Sequence, residues 1–295
     1  MKKYRKIGIG IILLGVCVLA ANLIYLITHL PKEKYPEDSF LTNEPNKSAL
    51  IIVAHDDDAA PFSGTTSLLV ENGWDVNFMC FYNDYWKPEE NPVRKLEMKK
   101  AAQIQGFNNI ELIDFNMRES LDTAEQPWMP VPYDQFSGNF KMDSLQIYIL
   151  TAIQEFNPSV IFTLDDVIGA YGHPEHVIVS QVVNKVCSLY RDSLDFPVKK
   201  IYQSVLPHSQ AEKIMGKMDI YIEGKRIYGC DGMPSPNVQI NISSFASTKK
   251  RVFLAHASQR RALKRFIPFY HLYPGWVYFG IFNKEYFRII NVNTL

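Results

Sequence analysis

SALIIVAHDDDAA, residues 48–60, is the stretch on which the reading of the fold turns. A short apolar, β-branched run stops at one histidine and three consecutive aspartates. A run bounded in this way predicts a strand buried on both faces of a parallel sheet. The charged cluster then sits at the strand's carboxyl end, where the loops of an open α/β sheet converge on a crevice. Three carboxylates beside an imidazole repel one another, and a divalent cation relieves that repulsion. Nitrogen and oxygen donors together suit zinc or a neighbouring transition metal better than calcium or magnesium, which favour all-oxygen shells. The same residues also fit a solvated acidic turn capping a helix.

Working outward from this turn, residues 65–71 read as a helix stopped by Asn72-Gly73, and residues 76–82 as a second strand. Residues 88–106 have helical spacing, with Gly106 at the expected stop. Residues 110–115 predict a third strand, 143–156 a helix broken by Asn157-Pro158, and 160–164 a fourth strand leading into Asp165 and Asp166. Strands alternating with helices predict an α/β fold with a Rossmann-like, doubly wound, mostly parallel sheet. Residues 116–142 fit neither period and read as a long loop over the strand ends, where insertions are often functional. Farther along, the pattern predicts a strand from Lys199, a hairpin over 219–228 around Glu223-Gly224-Lys225, and a basic helix over 247–266. The aromatic tail FIPFYHLYPGWVYFGIF, residues 266–282, reads as core packing, with stacking on sugar rings or contact with a bilayer as the sharper alternatives.

Ahead of this domain, an apolar stretch over about residues 7–28 is long enough as a helix to cross a bilayer. Lys2, Lys3, Arg5 and Lys6 precede it, so the positive-inside rule places the N-terminus in the cytoplasm and the rest outside. A cleaved signal peptide is the rival, with Val18-Leu19-Ala20 as its site, but the apolar run continues well past that point. Cys17 follows the bulky Val16, which argues against a lipid-modified cysteine. Residues 1–30 are therefore read as tail and anchor helix, 31–47 as a polar, proline-punctuated tether, and 48–295 as one domain. The four cysteines are scattered, which indicates neither a disulfide framework nor a zinc knuckle. Lys+Arg and Asp+Glu are equal at 31 each, so no global basic field points to nucleic acid.

A second charged cluster, Tyr171-Gly172-His173-Pro174-Glu175-His176, follows the fourth strand and opens an amphipathic helix. Proline suits the first helical turn, so His173 would cap the helix and His176 lie just inside it, able to reach the crevice of His55 and Asp58. Two histidines beside an acid at the end of an adjacent strand favour a metal over a helix-surface role. The two clusters together resemble the PIG-L/LmbE family of zinc-dependent N-acetylglucosamine de-N-acetylases. That family carries Ala-His-Pro-Asp-Asp-Glu after its first strand, against Ala54-His55-Asp56-Asp57-Asp58-Ala59 here, and Tyr-Gly-His-Pro-Asp-His later, against residues 171–176. Arg94-Lys95-Leu96-Glu97 resembles its Arg-x-x-Glu helix, and His256-Ala257-Ser258-Gln259 its His-x-Ser/Thr-Gln segment.

The resemblance implies that His55, Asp58 and His176 bind zinc, with iron or another divalent transition metal as an alternative, and that Asp57 is the general base. Tyr171 is the implied oxyanion donor, and a protonated His173 would add positive charge. Glu175 would orient a histidine, while Arg94 and Asp114 are candidates for gripping sugar hydroxyls. The implied activity is removal of the N-acetyl group from an amino sugar in a glycoconjugate or surface glycan. A non-catalytic glycan- or lipid-binding relative, or a metal-dependent hydrolase of another bond, are the alternatives. Asp56 replaces the motif's proline, which is expected to loosen the turn or offer a competing ligand, and Ala59 replaces its final glutamate.

Overall fold

The computed structural model describes residues 2–81, 87–120 and 126–295. Tyr82, placed in the second strand from its sequence, and part of the 116–142 stretch lie outside the described residues. A long helix α1 (Lys2–Thr28) is followed by one helical turn α2 (Phe40–Asn43), then β1 (Ser48–Val53), α3 (Ser63–Glu71), β2 (Asp75–Phe81), α4 (Asn91–Gln105) and β3 (Asn109–Ile113). After the turn α5 (Phe136–Asn139) come α6 (Met142–Phe156), β4 (Val160–Leu164), the turn α7 (Gly169–Gly172), α8 (Pro174–Tyr190) and β5 (Lys200–Ser204). The chain closes with α9 (His208–Met215), α10 (Asp219–Tyr228), β6 (Val238–Asn241), α11 (Ala246–Ala255), α12 (Arg260–Phe266), α13 (Gly275–Ile281) and β7 (Lys284–Asn291).

Among the described residues the strands form one sheet in the order β3-β2-β1-β4-β5-β7-β6. The first five are parallel, and β7 and β6 add an antiparallel edge. The strand order reverses between β1 and β4, because β2 and β3 run to one side of β1 and β4 and β5 to the other. That reversal opens the crevice at their carboxyl ends. Every residue of β1 and β4 is buried, as continuous apolar runs in a two-sided parallel sheet require. One core packs Leu50, Ile52 and Ile161 against α6 and α8; the other packs Ile51, Phe78 and Phe162 against α3 and α4.

Helix ends follow local chemistry. Gly106 and Asn157 close α4 and α6 in the left-handed region, at φ 78° and 45°, which glycine and asparagine tolerate best. Three expectations are corrected. Residues 219–228 form helix α10 rather than a hairpin; Tyr221, Gly224 and Tyr228 share one buried face, a spacing of three and four that is helical. The basic stretch 247–266 is two helices, α11 and α12, broken at His256. The supposed tether is fixed to the domain: Glu37 bridges Gln239, Leu41 is buried, and Glu44 pairs with Lys199 at 2.7 Å.

Candidate active site

His55, Asp57 and Asp58 leave β1 in a tight turn that Asp58 itself closes, its Oδ2 accepting from the His55 backbone N–H at 2.7 Å. The turn after β4 is organised by Asp165. This buried carboxylate accepts from the backbone N–H groups of Val167, Ile168, Gly169 and Ala170 at 2.7–3.2 Å. So many charge-assisted bonds hold Ala170 in the left-handed region at φ 69°. Gly172, at φ 113°, lets the chain pass α10, where a Cβ would lie 2.5 Å from the Ile220 carbonyl oxygen. His173 then caps α8, its Nδ1 accepting from Glu175 N–H at 3.2 Å, and Pro174 opens the first turn.

These two turns bring His55, Asp58 and His176 together. His55 Nδ1 lies 3.1 Å from His176 Nε2. Asp58 reaches both, with Oδ2 3.3 Å from His55 Nδ1 and Oδ1 3.1 Å from His176 Nε2. The outer nitrogens are already committed. His55 Nε2 donates to Glu175 Oε2 at 2.8 Å, and His176 Nδ1 donates to the Gly169 carbonyl at 3.0 Å. In their neutral forms both imidazoles therefore aim a lone pair at one point shared with a carboxylate. Donors about 2.0–2.2 Å from a tetrahedral zinc are separated by about 3.3–3.6 Å, close to the spacing seen, so these residues fit a metal. His173 lies near enough to form a second set with the same two histidines, donor atoms within 4.8 Å. Asp58 makes the tighter group.

Electrostatics reinforce the arrangement. Burial alone would hold His55 neutral, but the charge and hydrogen bonds of Asp58 and Glu175 lift it well above the usual histidine range. Burial would raise Asp58, yet His176 and His55 hold it well below the carboxylate range. Glu175 is also driven down against its burial, by the hydrogen bond and charge of His55 and then by the charge of Arg118. Burial pushes His173 far down, helped by His176 and His55. It therefore stays neutral, and the positive charge expected of it is not supplied. The Tyr171 phenol is pushed up by burial and by Asp58 and Asp57, so it keeps its proton.

The expected role of Asp56 as a competing ligand also fails. Its buried carboxylate turns away from the histidines to Arg94, whose Nε donates to Oδ1 at 2.7 Å, while Oδ2 faces His256 Nδ1 at 3.8 Å. Burial raises Asp56 to about 6, against the opposing charge of Arg94 and with that of Asp57. Arg94 reaches Asp57 Oδ1 at 3.4 Å as well, so its guanidinium holds two carboxylates of the turn. Ala59 is buried in an apolar cluster with Phe62. Asp114 is exposed and is not among the described residues lining the cavity, whereas its neighbours Phe115 and Asn116 are.

One participant carries no sequence signal. Arg118, from the loop after β3, is buried and donates from Nε to Glu175 Oε1 at 2.8 Å, fixing the carboxylate that orients His55. Glu97 accepts from Ser258 N–H and Oγ at 2.9 and 2.7 Å, so α4 and the α11–α12 junction meet where the two weaker motif matches lie. His55, Asp57, Asp58, Arg94, Glu175 and His176 line a cavity of about 1110 Å³ that also includes Tyr171, His173 and aromatic residues of the C-terminal tail.

Residues 50–187 match the family PIG-L, described as GlcNAc-PI de-N-acetylase. The chain is 25% identical over 134 residues to a 1D-myo-inositol 2-acetamido-2-deoxy-alpha-D-glucopyranoside deacetylase of Streptomyces avermitilis, covering 40% of this chain and 45% of that protein. It is 26% identical over 240 residues to the protein of the same description from Rhodococcus jostii, covering 71% and 80%. The match thus spans less than half of the first relative and four-fifths of the second. Among solved structures, N,N'-diacetylchitobiose deacetylase from Pyrococcus horikoshii superposes with a TM-score of 0.53 at 17% identity, over 86% of this chain and 90% of that one. GalB, the 4-carboxy-2-hydroxymuconate hydratase from Pseudomonas putida KT2440, superposes with 0.51 at 16% identity, over 75% and 82%. These two likenesses establish the fold, which a deacetylase and a hydratase share.

Proposed function

From the match of residues 50–187 to the PIG-L family, we propose that this chain is a zinc-dependent hydrolase of that family, removing the N-acetyl group from an N-acetylglucosamine-type amino sugar. The observation that carries this reading is the meeting of two imidazole lone pairs and one carboxylate at 3.1–3.3 Å. Such a group is satisfied only by a cation or by an added proton. His55, Asp58 and His176 would hold the metal. Zinc, when bound there, supplies an acidified water and a positive charge for the carbonyl oxygen.

The remaining steps belong to the protein's own groups. Asp57 lines the cavity one residue from Asp58 and takes a proton from the attacking water as general base. Arg94 keeps its carboxylate oriented. Tyr171 Oη–H donates to the oxygen that gains charge as the amide carbonyl becomes tetrahedral. His173, whose Nδ1 is taken by Glu175 N–H, carries its proton on Nε2 and is a second donor. Glu175 and Arg118 hold His55 in the tautomer that presents Nδ1. Helix α1 is the anchor, with the domain outside the membrane, and the substrate is an acetylated amino sugar of a glycoconjugate or surface glycan.

The test is metal analysis of the purified full chain together with acetate release from N,N'-diacetylchitobiose. Stoichiometric zinc and acetate release, abolished by chelation and restored by zinc, are expected. Metal-free protein that releases acetate at the same rate would refute the proposal.

A further inference from the structure

Helix α1 does not leave the domain cleanly. Residues Ile9–Thr28 form its apolar span, but one face of the last two turns packs against the C-terminal tail. Leu26 is fully buried in a cluster with Tyr270, Tyr273, Tyr278 and Phe279. Tyr273 Oη donates to Asn22 Oδ1, and Phe269 stacks edge-on against Tyr25 with ring centroids 5.9 Å apart. Asn22 lies six residues inside the end of the span, about 9 Å at helical rise. If α1 crosses a bilayer, whatever touches Asn22 shares its depth.

The tail at that depth is dressed for it. Leu272 and Trp276, flanking Tyr273, are 65% and 70% exposed. Two large apolar side chains left in solvent beside a bonded, buried tyrosine have no packing explanation within the chain. Arg260, Arg261, Lys264 and Arg265 are exposed on the neighbouring helix α12. Apolar and aromatic side chains with a basic flank suit the boundary between acyl chains and anionic headgroups. The cavity that holds the candidate site reaches the same region, being lined by Arg265, Phe266, Ile267, Pro268 and Phe282, and by His29 just past α1.

We infer that residues 267–282 form a second membrane contact, a wedge seated in the outer leaflet beside α1, which sets the cavity mouth against the lipid surface. The occupant of the exposed face is thus anionic phospholipid. The active site faces substrates whose amino sugar is presented at the membrane. The inference rests on the anchoring role proposed for α1.

Depth-dependent quenching tests it without reference to turnover. The full chain, its mass first confirmed to retain α1, is reconstituted in phosphatidylcholine vesicles containing about one-third phosphatidylglycerol, with or without dibrominated acyl chains. Trp276→Phe and Leu272→Glu/Trp276→Phe are compared with the parent. Brominated lipid is expected to quench the parent's tryptophan emission, and Trp276→Phe to remove at least half of the quenchable component. Equal quenching in parent and Trp276→Phe would overturn the wedge, whether the face is bare or covered by a second copy of the chain. Acetate release from soluble N,N'-diacetylchitobiose in detergent should be unchanged in both variants, since neither residue lines the cavity. That assay reports on the deacetylase reading separately, so failure of either is distinguishable.

Discussion

Asp57→Asn separates the general base from the metal-holding group more cleanly than any other change. Asparagine keeps the shape of the side chain, and its amide oxygen can still accept from Arg94, now 3.4 Å from Asp57 Oδ1. The contacts among His55, Asp58 and His176 do not involve it. Zinc content should therefore stay at the parent level. A positioned general base contributes about 10²–10⁴-fold in rate, or about 2.7–5.4 kcal/mol of barrier, so acetate release from N,N'-diacetylchitobiose should fall by that factor. The assay reads acetate and metal on the same samples, with His176→Ala as the contrast. That change removes Nε2, together with the hydrogen bond from Nδ1 to the Gly169 carbonyl, and should lose metal as well as turnover. Asp57→Asn turning over within threefold of the parent, with metal retained, would refute the assigned role.

Chelated protein should show the pH signature of the raised His55. Its folded pKa lies well above the ordinary 6.5, so protonation stabilises the fold fully below about 6.5. That stability drains away as pH rises towards the folded value. Melting temperature in chelator should thus decline from pH 6.5 upward, and added zinc, which replaces the proton, should flatten the profile; a flat profile in chelator would contradict the cluster's electrostatics. Lys249→Met should cost about 3–5 kcal/mol. It strands the buried Glu285, which also accepts from Gly64 and Thr65 N–H at 2.9 and 2.7 Å; denaturant unfolding in detergent should show recovery in Lys249→Met/Glu285→Gln. Gly172→Ala forces a Cβ against the Ile220 carbonyl at φ 113°, and should cost about 2 kcal/mol or more of stability. An unchanged melting temperature would show that the 169–172 turn is less constrained than its geometry implies.

The contrast between α10 and β1 shows where the sequence was sufficient. Residues 49–53 are apolar at every position, as a strand buried on both faces requires, so β1 and the parallel sheet were legible directly. Residues 219–228 carry a charged Glu-Gly-Lys triplet that resembles a turn locally. What makes them a helix is the burial of Tyr221, Gly224 and Tyr228 against the turn after β4, a contact with residues some fifty positions earlier. The same holds for residues 31–47, polar enough to read as free chain yet fixed by Glu44, Leu41 and Glu37 to partners far along the chain.

At the site, residue types alone were enough to nominate His55, Asp58 and His176, because imidazole and carboxylate at two strand ends carry one chemistry. Their tautomers were not legible: Glu175, Arg118 and the Gly169 carbonyl decide which nitrogen faces the shared point, and these arrive from three separate segments. The unusual Asp56 likewise acquired its meaning only in three dimensions, as the partner of Arg94 rather than a rival ligand. Local pattern determined the strands, the helix between them and the donors at their ends, since hydrophobic period and side-chain chemistry act over a few residues. Tertiary structure alone decided which charges are paired, which proton sits on which nitrogen and which apolar side chains remain uncovered beside α1, because burial and hydrogen-bond partnership depend on segments the chain brings together from afar.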